Sequence, residues 1–244
     1  LKIIWFRDFI LRGLFWLLLP IALVLGGCAE TTQHRFKVTV NVEADGKIYS
    51  GSSIMEEKYY VCPAGWDSTC ANDMTSRGEA IVVNVEGHGY LFLLQNYKYV
   101  DCYVRSQVKE NVSNFYEEYK VKEAAFDSIG KWEIEDLKRM PFVTFTDIKD
   151  PMSVKEIIPV TYEYEDEVLD KNGNPIFENG IIKKETKVVK SNFEEYFGKG
   201  ARLKSVIVTP TNEPITWGQV EKVIPWIVNS NFASILSSSF YIRK

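Results

Sequence analysis

From Phe36 to Glu43 the chain alternates strictly, with Phe36, Val38, Val40 and Val42 on one side and Lys37, Thr39, Asn41 and Glu43 on the other. A period of two is the pattern of a half-buried β-strand. The Asp45-Gly46 pair that follows suits a tight hairpin turn, and Ile48 to Tyr60 supplies the return strand. A second hairpin is predicted from Glu79-Ala-Ile-Val-Val-Asn-Val, a turn at Glu86-Gly-His-Gly89, and Tyr90-Leu-Phe-Leu-Leu-Gln. Its strands are continuously apolar, so they belong in the centre of the fold, covered on both faces.

From Ser106 to Ser128 the spacing turns helical, with Val112, Phe115, Tyr119 and Phe126 set among charged residues. Lys131 to Met140 reads as a second helix stopped by Pro141, and Phe142 to Thr146 returns to strand. Asp150-Pro151 is either a helix cap with proline in first position or a turn before Val154 to Val160. Tyr162 to Lys190 is densely charged, and Asn172-Gly173 and Asn179-Gly180 mark turns within it, so it reads as an exposed hairpin excursion. Phe193 to Phe197 is a helical turn ended by Gly198, followed by a strand from Leu203 to Val208. Thr216 and Gln219 form a capping-box pair for a helix of about two turns ending before Pro225. Trp226 to Lys244 is apolar and Ser-rich, a candidate last edge strand. The expectation is an α+β fold: an antiparallel sheet built from hairpins, with two or three helices packed on one face, forming a single domain over 36–244.

The first 27 residues have a different pattern. Lys2, Arg7 and Arg12 precede an uncharged stretch whose apolar part, Leu14 to Leu25, is about a dozen residues long, whereas a helix needs roughly 20 to cross a bilayer. It ends at Leu25-Gly26-Gly27-Cys28, which resembles a bacterial lipobox. Residues 1–27 are therefore expected to be a lipoprotein signal peptide, Cys28 the lipidated residue and 28–35 a short tether. The competing reading is an uncleaved signal anchor from Phe9 to Gly27. Ala29, rather than Asp, after Cys28 implies sorting to the outer membrane, with the chain lipid-anchored and facing the periplasm.

Export would place the remaining thiols in an oxidising compartment. Cys62 and Cys70 bracket a turn-rich loop and are the expected disulfide, although either could pair with Cys102 instead. A zinc site with His88 as fourth ligand is the alternative, but the spacing matches no common zinc pattern.

At 45% hydrophobic and 25% charged residues the composition is that of an ordinary globular protein. The formal charge is -4 and no cationic cluster is denser than Lys183-Lys184, which argues against a nucleic-acid partner. No P-loop, GxGxxG, HExxH or EF-hand pattern occurs, and no cofactor is expected. The only histidines, His34 and His88, fall near the tether and in a turn, so neither favours a buried nucleophile–base pair. Gly51-Ser52-Ser53 lies within a predicted strand and reads as a bulge or a small-residue packing site. Trp66 and Tyr97 fall in predicted loops, and Tyr97-Lys98-Tyr99 reads as core or, alternatively, as a glycan or peptide contact. Arg77 and Glu79, on the same side of an extended strand, read as an ion pair. Together with Asp147, Asp150 and Arg202 they are alternatively a polar recognition patch.

The runs KVTVNVEADGKIYSGSSIMEE, RGEAIVVNVEGHGYLFLL, TFTDIKDPMSVKEI and FGKGARLKSVIVTPTNEPITWGQVEKVIPWI occur in that order over about Val38 to Ile227. Together they resemble a family of uncharacterised exported proteobacterial proteins, a resemblance that implies no activity. The Pro63 to Thr69 loop and the Tyr162 to Lys190 excursion depart from that pattern as insertions at turns. The functional expectation is a non-enzymatic envelope lipoprotein that binds a protein or glycan partner. The alternatives are a periplasmic hydrolase using paired carboxylates on cell-wall or carbohydrate material, and a structural subunit of an envelope assembly.

Overall fold

In the computed structural model, residues 30–61, 73–95, 130–228 and 241–242 are described. Strands β1 (Glu30–Ala44) and β2 (Lys47–Val61) form one long hairpin about Asp45-Gly46. Both turn residues have positive φ, 50° and 71°, which glycine adopts freely and aspartate tolerates. Strand β1 starts six residues before the alternation begins, so pairing extends through residues 30–35, where the tether was expected.

The hairpin is the middle of a six-stranded antiparallel sheet. Strand β13 (Arg202–Pro210) pairs with β1, placing Val206 and Val208 beside Val40 and Val38. Strand β3 (Asp73–Glu79) pairs with the far half of β2, β6 (Trp132–Glu133) adds to β13, and β14 (Tyr241–Ile242) adds to β3. A second antiparallel sheet runs in the order β4 (Ile81–Val85), β5 (Gly89–Leu93), β7 (Phe142–Phe145), β8 (Val154–Ile157).

The apolar face of β1 explains how the sheets pack. Phe36, Val38, Val40 and Val42 are buried with Ile81, Val83, Val85, Leu91 and Leu93, and Phe193 and Phe197 of α1 (Phe193–Phe197) join the same core. A second cluster forms where Phe92 and Phe145 meet Val220 of α2 (Gln219–Val223) and Ile224 and Ile227 just after it. The Phe145 ring lies edge-on to both Phe92 and Trp226, with centroids 5.6 and 5.7 Å apart. The second sheet thus buries residues on both faces, as its continuously apolar strands predict. Gly51 allows β4 to come this close to β2, because a Cβ there would run into the Val82 carbonyl.

The α+β expectation is corrected. The fold is mostly antiparallel β, and the two described α-helices, α1 and α2, have five residues each. Instead of a helix over Lys131 to Met140 there are the two residues of β6 and a 3₁₀ turn at Leu137–Arg139. The apolar positions Trp132 and Met140 are buried as a helix would bury them, but edge pairing with β13 takes the backbone of residues 132 and 133. The Thr216–Gln219 capping box does not form: Gly218 occupies the N-cap, while the Thr216 hydroxyl accepts a hydrogen bond from the Ile54 amide. The helix expected over Ser106 to Ser128 lies outside the described residues.

Residues 161–190 form an arm. Strands β9 (Tyr162–Glu167) and β12 (Lys184–Val189) pair along its stem, and β10 (Phe177–Glu178) and β11 (Ile181–Ile182) pair around Asn179-Gly180. No residue from 161 to 190 is buried. Leu169, Phe177 and Ile181 are 53%, 63% and 73% exposed. Replacing Phe177 and Ile181 by Asp is therefore expected to change stability by less than about 0.5 kcal/mol, measured by urea unfolding.

Candidate functional site

The Asp45-Gly46 turn sets the register of the long hairpin, and that register builds a polar end on the sheet. Arg35 of β1, Glu56 of β2 and Arg77 of β3 fall in one cross-strand row on the face away from the core. The Glu56 carboxylate is 2% exposed, and it accepts hydrogen bonds from Arg35 Nε at 2.8 Å and Gln33 Nε2 at 2.5 Å. Arg77 Nη1 lies 3.7 Å from its other oxygen. A carboxylate this buried needs such partners, because desolvation of the charge costs several kcal/mol. The neighbouring row on the core side holds His34, Glu57 and Ser76, of which Glu57 and Ser76 are buried.

A segment from Thr211 to Gly218 straps the outward face. The Thr211 amide donates to the Arg35 carbonyl, the Thr216 amide donates to the Ile54 carbonyl, and Gln219 N–H donates to both oxygens of Glu79 at 3.1 Å. The strap thus reaches from β1 across β2 to β3. It explains the burial of Ile54, which points away from the core.

Glu79 is fully buried at the start of α2. Burial pushes its carboxyl above the usual carboxylate range, more than the N–H groups of Gln219, Val220 and Gly218 pull it down. With a raised folded pKa, the stabilising contribution is complete below the unfolded value and is lost as pH rises through the folded one. Glu79→Gln is therefore expected to be at least as stable as the parent at pH 8, with its advantage shrinking as pH falls through the raised folded pKa and lost by about pH 4. Urea midpoints at the two pH values check this, and a variant less stable at pH 8 than at pH 4 relative to the parent refutes it.

The five residues of the sequence-derived patch do not converge. Arg77 and Glu79 do not pair with each other: Arg77 faces Glu56 and Glu79 caps α2. Asp147 and Asp150 serve their own loop. Asp147 accepts from the Lys149 amide and Asp150 from the Met152 amide, which makes Asp150 the cap of a 3₁₀ turn with Pro151 in first position. Arg202 donates to Glu43 at 2.8 Å and holds its carboxyl below the usual range. Glu43 lies eight residues along β1 from Arg35, about 27 Å at the usual strand rise. The row around Glu56 was legible only by counting register outward from Asp45-Gly46, which puts Arg35 opposite Glu56.

His88, the possible zinc ligand, lies in the β4–β5 turn with Nε2 2.8 Å from Asp45 Oδ2, so it links the two hairpin turns. Gly51-Ser52-Ser53 is a close-packing site in β2, not a nucleophile turn. Cys28, Cys62, Cys70, Cys102, Trp66 and Tyr97-Lys98-Tyr99 lie outside the described residues. No protein-family model matches the chain, and no curated protein or solved structure matches it either.

Proposed function

We propose that this protein is a non-enzymatic cell-envelope lipoprotein, anchored through Cys28 at the outer membrane and facing the periplasm, which binds a protein partner or envelope component. The observation that carries the binding role is the arm at 161–190. Ordering a residue costs about 1–2 kcal/mol of backbone entropy, and a two-stranded ribbon is marginal in water unless its apolar surface is covered. Here an ordered ribbon buries none of its own side chains and exposes Leu169, Phe177, Ile181 and Val188. Such a surface suits a partner.

The root of the arm fits an anchored orientation. Its return strand leads into α1, whose capping Gly198 packs on the His88 ring, and His88 is joined to Asp45. Asp45 is at the opposite end of β1 from Glu30, the strand residue nearest Cys28 in the chain. The arm therefore leaves the half of the hairpin remote from the anchor.

Two measurements test the reading. Full-length protein expressed in cells is expected to incorporate labelled palmitate and to float with outer-membrane fractions, and Cys28→Ala is expected to abolish both. A photoreactive residue at position 177 is expected to give one discrete crosslinked species in intact cells, which Ile181→Asp removes while the protein stays folded. Retained labelling in Cys28→Ala, or no specific adduct from the arm, overturns the corresponding half.

A further inference from the structure

The arm has two open edges, and they differ in what they can pair with. Strands β9 and β12 form a two-stranded sheet, with no further strand beside either among the described residues. The Val168 amide donates to the Lys183 carbonyl, and antiparallel bonds fall on every second pair, so the stem is held at Asp166 with Glu185, Tyr164 with Lys187 and Tyr162 with Val189. The residues between them turn their N–H and C=O groups outward: Glu163 and Glu165 on β9, and Lys184, Thr186 and Val188 on β12. The side chains of all five are exposed. The Glu167 amide, also on the β9 edge, donates to Asp166 Oδ1.

An open edge is a template for another strand. Strand β9 rejects a second copy of itself, because antiparallel pairing about Glu165 sets Glu165 against Glu165 and Glu163 against Glu167. Strand β12 is self-complementary. With a twofold axis at Thr186 the two threonines face each other, Glu185 lies opposite Lys187, and Lys184 lies opposite Val188. Moving the axis to residue 185 or 187 would set Glu185 or Lys187 against its own copy, so charge selects the register. The lysines do not oppose the pairing, since acids of the same arm already face them: Lys183 lies 3.4 Å from Glu178, Lys184 3.4 Å from Glu165 and Lys187 2.7 Å from Asp166. Lys190, at the root, falls opposite Ile182 of the second copy. Antiparallel pairing of β12 with β9 of a second copy is excluded by bulk: it sets the two arm roots about 10 Å apart, two strand spacings, which is less than the thickness of a body of two packed sheets.

We propose that the partner of the arm is a second copy of this chain, joined edge to edge through β12 into a four-stranded antiparallel sheet in the order β9, β12, β12, β9. The inference rests on the reading of the arm as a binding element and names what it binds. Three residues of each β12 bring an N–H and a C=O to the junction, about six backbone hydrogen bonds in all. The two arms run in opposite directions, so the apolar tip of each, with Phe177 and Ile181, points toward the root of the other and hence toward its body.

The test is a charge exchange in the full-length protein, with dimerisation in mild detergent followed by analytical sedimentation. The parent is expected to dimerise in the micromolar range, as suits a small interface. Glu185→Lys alone sets lysine against Lys187 of the second copy, and Lys187→Glu alone sets glutamate against Glu185, so each is expected to weaken the dimer at least about tenfold. An equimolar mixture of the two variants restores both opposite-charge contacts, and its mixed dimer is expected to come within about threefold of the parent's affinity. Thr186→Pro removes an outward N–H that the arm itself does not use, and is expected to abolish the dimer. Glu163→Lys, on the other edge, is expected to change the affinity less than about twofold. A parent that stays monomeric to about 0.1 mM, or a mixture that binds no tighter than either variant alone, overturns the inference. Equal dimerisation of every variant, as the sharing of a micelle would give, overturns it too. The photoreactive residue at position 177 is read separately: a discrete adduct with a different protein keeps the arm as a binding element and loses the second copy.

Discussion

Gly51→Ala is expected to lose at least about 3 kcal/mol of stability, and to fail to fold if the parent has little to spare. Overpacking in a core that can shift usually costs less, about 1–3 kcal/mol. Here the obstacle is backbone: an alanine methyl would occupy the space of the Val82 carbonyl, with Val83 Cγ2 3.1 Å away. A carbonyl inside a paired strand cannot rotate aside as a side chain would, so β4 must move off β2. That separates Ile81, Val83 and Val85 from Val38, Val40 and Val42, which are the centre of the main core. Ser52→Ala, one residue along, serves as the control and is expected to stay within about 0.5 kcal/mol. Urea unfolding of both variants decides the matter, and a Gly51→Ala protein as stable as the control would mean the two sheets are not held at this distance.

The second large effect is an asymmetry within the Glu56 row. Arg35→Ala is expected to cost about 2–3 kcal/mol, because it leaves a carboxylate that is 2% exposed with its closest charged donor gone. The figure is placed below the full cost of breaking a buried pair because Arg35 is 34% exposed and solvent screens part of the interaction. Glu56→Met is expected to cost less than about 1 kcal/mol, since the arginines left behind are 34% and 40% exposed and water can solvate them. Denaturant midpoints give the ranking directly. A larger loss for Glu56→Met than for Arg35→Ala would show that the row is held together by something other than the need to compensate the buried charge.

The same row bears on the proposed function. The hydrolase alternative needs a carboxylate free to exchange protons with a substrate. Glu56 is committed to Arg35, Gln33 and Arg77, and Glu79 to the amide that opens α2. The arm at 161–190 leaves Leu169, Phe177, Ile181 and Val188 exposed.

Local chemistry carried much of the fold. Strict alternation from Phe36 to Glu43 marked a strand with one buried face, and Asp45-Gly46 is a turn whose geometry requires the residues it has. With the turn placed, the hairpin register follows, and so does the pairing of Arg35 with Glu56. The charge density and two Asn-Gly turns of the arm likewise marked an exposed excursion, because no apolar period runs through it. The helix expected over Lys131 to Met140 failed for a physical reason: apolar residues such as Trp132 and Met140 mark which positions are buried and not which backbone partner is available. Strand β13, more than sixty residues further on, supplied that partner to residues 132 and 133.

The sequence by itself determined the hairpins, the doubly covered second sheet and the exposed arm, since each rests on residues close together in the chain. Only the tertiary structure decided that β13 and β3 flank the hairpin, that a strap from 211 to 218 crosses its outward face, and that Glu79 serves α2 instead of Arg77. These contacts join segments up to some 170 residues apart, and such pairings are chosen by packing and desolvation in three dimensions, on which periodicity along the chain is silent.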